Sequence, residues 1–172
     1  MRKKLYPRGF TLIEVLTAIG ILSVIGAIVV SVITLTLRGT KKSDMLEFAR
    51  QNGDAALSQM VKSIRYAKSL DVPASCVPSA TTQSVTITSL TDDAQTTLSC
   101  ANGTISSNSA SLVDTTALTV SACSFVCSQT TSYDPPTISI YYTLSPKTAG
   151  SFVETNFTLP FQSSVTLRNY RP

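Results

Sequence analysis

The chain has 172 residues, 14 Lys and Arg against 10 Asp and Glu, and a formal net charge of +4, which leaves room for one ordinary domain plus an anchor but not for two large cores. All of the excess charge comes from Arg2, Lys3, Lys4 and Arg8; beyond Gly9 acids and bases balance, which excludes a basic stripe for nucleic acid. The absence of His and Trp removes the commonest general base and metal ligand, so no enzyme activity, metal or cofactor is expected.

Residues 1–9 form a short basic leader. From Phe10 to Leu37 there is no Pro and no charge except Glu14, giving about 28 helical residues or about 42 Å, longer than the ~30 Å hydrocarbon core of a bilayer. Residues 10–37 are therefore expected to span a membrane, and the basic leader favours an inside N-terminus. A removed secretory signal fits poorly, because the run is too long and no small-x-small cleavage site follows it. Gly20, Ser23, Ala27 and Ser31 recur at spacings of three and four, which lets membrane helices approach one another or simply reflects the frequency of small residues there.

After Arg38, Lys41 and Lys42 the apolar residues Met45, Phe48, Ala49, Ala56, Met60, Ile64 and Ala67 follow a 3.6-residue period. Residues 38–72 thus read as an amphipathic helical spine that runs to Leu70 and is stopped by Pro73, with Gly39 and Gly53 as soft points.

Beyond Pro73 about a third of the residues are Ser or Thr, and the pattern changes to alternation. Residues 73–172 are expected to be a β head with strands at Ser84–Thr88, Ala117–Ala122, Thr137–Leu144, Thr155–Phe161 and Ser164–Leu167. Turns are expected at Thr91–Ala94 and at Asn102-Gly103, and a loop at Asp134–Pro136. The fold class is α+β: a long N-terminal helix whose amphipathic half covers one face of a small antiparallel sheet.

The stretch "RGFTLIEVL" resembles the class III signal of type IV prepilins and type II secretion pseudopilins. "SQMVKSIRYAKSL" (Ser58 to Leu70) is similar to the helical spine of J-like minor pseudopilins and related minor pilins, and "SSVTLRNY" (Ser163 to Tyr170) to their closing strand. The resemblance implies cleavage between Gly9 and Phe10 by a prepilin peptidase and methyltransferase that methylates the new Phe10 amine. It further implies assembly with other pilin or pseudopilin subunits through the N-terminal helix, driven indirectly by a cytoplasmic ATPase and an inner-membrane platform protein. The product would be a cytoplasmic-membrane protein with its head outside, then part of a cell-surface or periplasmic filament. Many major pilins have a Pro within the membrane helix; none lies between Pro7 and Pro73 here, which points to a minor pilin or pseudopilin. Glu14 fits this scheme physically. An ionised carboxylate in an apolar setting costs several kcal/mol unless paired, and the Phe10 amine of a neighbouring subunit is a suitable cation.

Cys76, Cys100, Cys123 and Cys127 are an even set, as expected for disulfides in an oxidising compartment. Three connectivities are open. Cys76 with Cys100 and Cys123 with Cys127 is the locally simplest, although the second pair needs a turn or bulge, since four residues of straight strand span about 13 Å. Asp92 and Asp93 fit a turn better than a calcium loop, because no further ligands follow. Two other classes remain to be weighed. A signal-anchored adhesin or binding module would keep Met1 and tolerate loss of Glu14, and an extracytoplasmic enzyme would have to build its chemistry on Lys147, the head's one lysine.

Overall fold

A computed structural model of the chain describes residues 9–77, 79–147 and 156–170. The leader residues 1–8 and Thr155 lie outside the described residues. Among the described residues, helix α1 covers Leu12–Arg65 and is followed by nine strands: β1 Ala67–Val72, β2 Ser79–Thr82, β3 Ser84–Ser89, β4 Gln95–Ala101, β5 Thr104–Ser107, β6 Ala110–Ser111, β7 Leu118–Ser128, β8 Thr137–Pro146 and β9 Leu159–Thr166. The chain divides into two units, one up to Lys42 and one from Ser43, and α1 contributes to both.

In the second unit the amphipathic reading of α1 is borne out. Ala49, Gly53, Ala56, Met60 and Ile64 are buried, whereas Glu47, Arg50, Asp54 and Lys62 are exposed, as the 3.6-residue period requires. The buried stripe joins one core with Val85, Ile87, Leu98, Ile105, Phe125, Ile138, Ile140, Leu144, Val165 and Leu167. The α+β architecture is as expected, but the strands form two antiparallel sheets instead of one meander. Sheet order is β1-β3-β4-β5-β6 in the first and β2-β7-β8-β9 in the second.

The Ser/Thr content is explained by the strand pleat. In β3 Val85 and Ile87 point into the core while Thr86 faces outward and bonds Thr97 on β4 at 3.0 Å. Ser99 with Ser106, Thr137 with Thr166 and Ser139 with Ser164 repeat that cross-strand hydroxyl pair at 2.7–2.8 Å, each worth a few tenths of a kcal/mol to about 1. Asn102 and Gly103 both have positive φ, 52° and 70°, and with Ala101 opposite Thr104 they make the two-residue hairpin turn that this dipeptide favours. Asn108 and Ser109 do the same between β5 and β6 with φ of 48° and 71°, a turn with no Gly to announce it.

Three expectations are corrected. The helix ends at Arg65 instead of continuing to Leu70, because Ala67–Val72 pairs with β3; the sheet's need for a ladder partner overrides a modest local helix preference. The two short strands expected at 155–161 and 164–167 are a single strand, β9, which tolerates Pro160 because it lies at a sheet edge.

The third correction concerns the cysteines: the disulfides are Cys76–Cys127 and Cys100–Cys123, not the locally simplest pairing. Cys123 and Cys127 lie on one continuous strand, and the only register shift of β7 falls earlier, between Val120 and Ala122. No bulge brings the two sulfurs together. That earlier bulge instead lets Leu118 and Val120 before it, and Phe125 and Cys127 after it, all face the core.

Candidate functional site

The N-terminal helix begins with a local device that sequence reading overlooked. Gly9, Phe10 and Thr11 are non-helical. The Thr11 carbonyl accepts from the Glu14 and Val15 amides at 3.1 and 3.3 Å, and its hydroxyl accepts from the Glu14 amide at 3.4 Å. Thr11 is therefore the N-cap, and Glu14 is the third helical residue. The T-x-x-E spacing of a capping box was present in the sequence as the signal for it. A carboxylate in the first turn also complements the helix dipole. The helix thus starts at Leu12 rather than at Phe10, where the apolar run begins.

Gly9 and Phe10 are uncovered by other described residues. Phe10 is 81% exposed, and no atom lies within 4 Å of a Cβ built on Gly9. Among the described residues no hydrogen bond or ion pair reaches the Glu14 carboxylate, so any counter-charge must come from elsewhere.

From Phe10 to Leu37 the large apolar side chains are exposed on every side of the helix, from 47% for Val15 to 81% for Phe10. The helix is long and apolar enough to cross a membrane. Its few hydroxyls turn back on their own backbone: Ser23 to Ile19, Ser31 to Ala27, Thr34 to Val30 and Thr36 to Val32, all at 2.8–2.9 Å. That arrangement satisfies polar groups without water, as a hydrocarbon setting demands. Gly20 and Gly26 lie in unbroken helix, and like Ser23, Ala27 and Ser31 they leave the surface uncovered.

The remaining candidates fall elsewhere. The Asp92 carboxylate accepts from the Ala94 amide at 3.3 Å and is held below the usual carboxylate range, chiefly by the Ser89 hydroxyl. Asp93 pairs with Lys68 at 2.8 Å across an exposed turn. Among the described residues no three His, Cys, Asp or Glu side chains are placed to hold a metal ion. Lys147 donates to the Thr115 carbonyl at 2.7 Å, beside Asp114, whose pKa is lowered mainly by Thr116. Of the tyrosines, Tyr142 is buried, Tyr141 is 43% exposed, and the Tyr170 hydroxyl donates to the Ser132 carbonyl at 3.2 Å.

Comparison with known families finds a match to the prokaryotic N-terminal methylation motif, over residues 6–30. Comparison with curated proteins and with solved structures finds no match. The matched segment contains Gly9, Phe10, Thr11 and Glu14, and it ends inside the exposed apolar helix.

Proposed function

The chain carries a type IV pilin-like class III signal; from that premise, we propose that it is a structural subunit, a minor pilin or pseudopilin, of a type IV pilus or type II secretion pseudopilus. It is inserted in the cytoplasmic membrane with the leader inside, cleaved after Gly9, methylated at Phe10 and added to a filament through α1. It performs no chemistry of its own; the prepilin peptidase acts on it, and the assembly ATPase and platform protein act indirectly. The observation that carries this reading is the conjunction of the motif with the N-terminal stretch of α1, up to Leu37, whose large apolar side chains are uncovered and need burial. In the membrane, lipid covers them; in a filament, the same helices of neighbouring subunits do.

Glu14 then pairs with the amine that cleavage creates on a neighbour. Neutralising both charges in an apolar filament core recovers the several kcal/mol that either would cost alone. The test is Glu14→Gln, which keeps the size and shape of the side chain and removes the charge. The variant should be processed and held in the membrane as wild type, yet be depleted at least tenfold from filaments sheared off the cells. Normal incorporation would rule out the ion-pair role. Retention of Met1 together with tolerance of Glu14→Ala would favour an anchored binding module.

A further inference from the structure

The two disulfides share strand β7 but not their surroundings. Cys127 is 1% exposed and Cys76 2%, so no reagent reaches that bond in the folded head. Cys100 is 9% exposed and Cys123 is partly exposed, and both line a cleft of about 210 Å³ with Asn102, Gly103, Val120 and Ser121.

Two backbone features hold the cleft open. The register shift of β7 lies between Val120 and Ala122, immediately before Cys123, and bends the strand there. Opposite it stands the tight Asn102-Gly103 turn, whose Gly103 carbonyl accepts from the Val120 amide at 2.7 Å and from the Thr119 hydroxyl at 3.4 Å. A Cβ at Gly103 would come within 2.9 Å of the Thr119 hydroxyl, so the turn approaches β7 as closely as only glycine permits. Among the described residues no charged side chain lines the cleft, and an incoming thiolate meets no described carboxylate to repel it.

We infer that Cys100–Cys123 is a thiol–disulfide exchange site for a dithiol, while Cys76–Cys127 is inert in the native fold. A thiolate of the dithiol attacks Sγ of Cys123, the more exposed residue of the pair; the S–S bond breaks, and its electron pair leaves on Sγ of Cys100, which takes up a proton. The second thiolate of the dithiol then attacks the mixed disulfide and releases Cys123 as a thiol. The protein disulfide gains two electrons, and the dithiol is oxidised to its own disulfide. The β4–β5 hairpin afterwards rests on β7 through the Gly103 carbonyl and the shared apolar core, while Cys76–Cys127 keeps β7 tied to the segment before β2. A native-like species with one disulfide is the consequence.

The full chain in detergent micelles is treated with graded dithiothreitol, free thiols are blocked with iodoacetamide, and the rest are reduced in guanidinium and blocked with a heavier reagent for peptide mass analysis. Cys100 and Cys123 should take the first label at least tenfold faster than Cys76 and Cys127, and the difference should vanish when guanidinium is present throughout. A parallel incubation with glutathione should place the mixed disulfide on Cys123. Equal native rates, faster labelling of Cys76 and Cys127, or glutathione on Cys100 would overturn the assignment.

Discussion

Replacing Gly53 with Ala sets two physical effects against each other. In an ordinary helix interior the change stabilises by about 1 kcal/mol through backbone entropy. Here a Cβ would fall 2.6 Å from Cε2 of Phe161 and nearer still to its ring tip, well inside van der Waals contact. The ring cannot simply retreat, because it stacks on Tyr142 with centroids 5.1 Å apart, and the Tyr142 hydroxyl is fixed by donating to the Gly53 carbonyl at 2.6 Å. Relief means giving up the stack, worth about 0.5–1.5 kcal/mol, loosening a hydrogen bond worth about 1, and straining neighbouring contacts by about 1–3. The net loss should be about 2 kcal/mol despite the helix gain. Urea unfolding of the full chain in micelles, followed by near-UV circular dichroism, should show a midpoint lower by about 1 M for a slope of about 2 kcal/mol per M. Adding Phe161→Leu should return part of the loss, because the flexible, smaller side chain yields to the new methyl. An unchanged or raised midpoint for Gly53→Ala would refute the reasoning.

Other consequences are open to simple assays. Burial, with a smaller effect from Asp54, raises the Tyr142 pKa above its ordinary value of 10.0; the folded state then holds the proton more tightly than the unfolded one, so stability is complete below about pH 10 and declines above it. Tyr142→Phe should flatten that alkaline decline in a urea-midpoint series. At neutral pH the same variant should cost about 1 kcal/mol, for the lost hydrogen bond to the Gly53 carbonyl. Removing both cysteines of Cys76–Cys127, which are 51 residues apart, should destabilise the head by about 4 kcal/mol on a chain-entropy basis, read from the same urea curves. Thr11→Ala should fray the first turn at a cost of about 1 kcal/mol, seen as faster amide exchange at Glu14 and Val15.

Periodicity made the helix face legible, because a buried stripe at 3.6 spacing has one reading and Ala49, Ala56, Met60 and Ile64 fill it. The Asn102-Gly103 turn was equally legible, since few dipeptides accept two positive φ values. What escaped was set by partners distant in sequence. Ala67–Val72 has no strand signature of its own and becomes a strand through β3. Cys127 finds Cys76 because of where β2 docks, which no local spacing encodes. Gly53 reads as a weak point in a helix and is instead the place where Phe161 comes closest to the backbone. In the N-terminal segment, Gly9, Phe10 and Glu14 stood out by type and order alone, yet Thr11 was passed over, although its capping role needs only the residue three positions on.

The mature N-terminus tests the central claim most directly. Intact-mass and N-terminal peptide analysis of the protein from native membranes should find a chain that begins at Phe10 and carries one methyl group on its amine, with Met1–Gly9 absent. A chain that begins at unmodified Met1 in cells with an active prepilin peptidase would contradict the account.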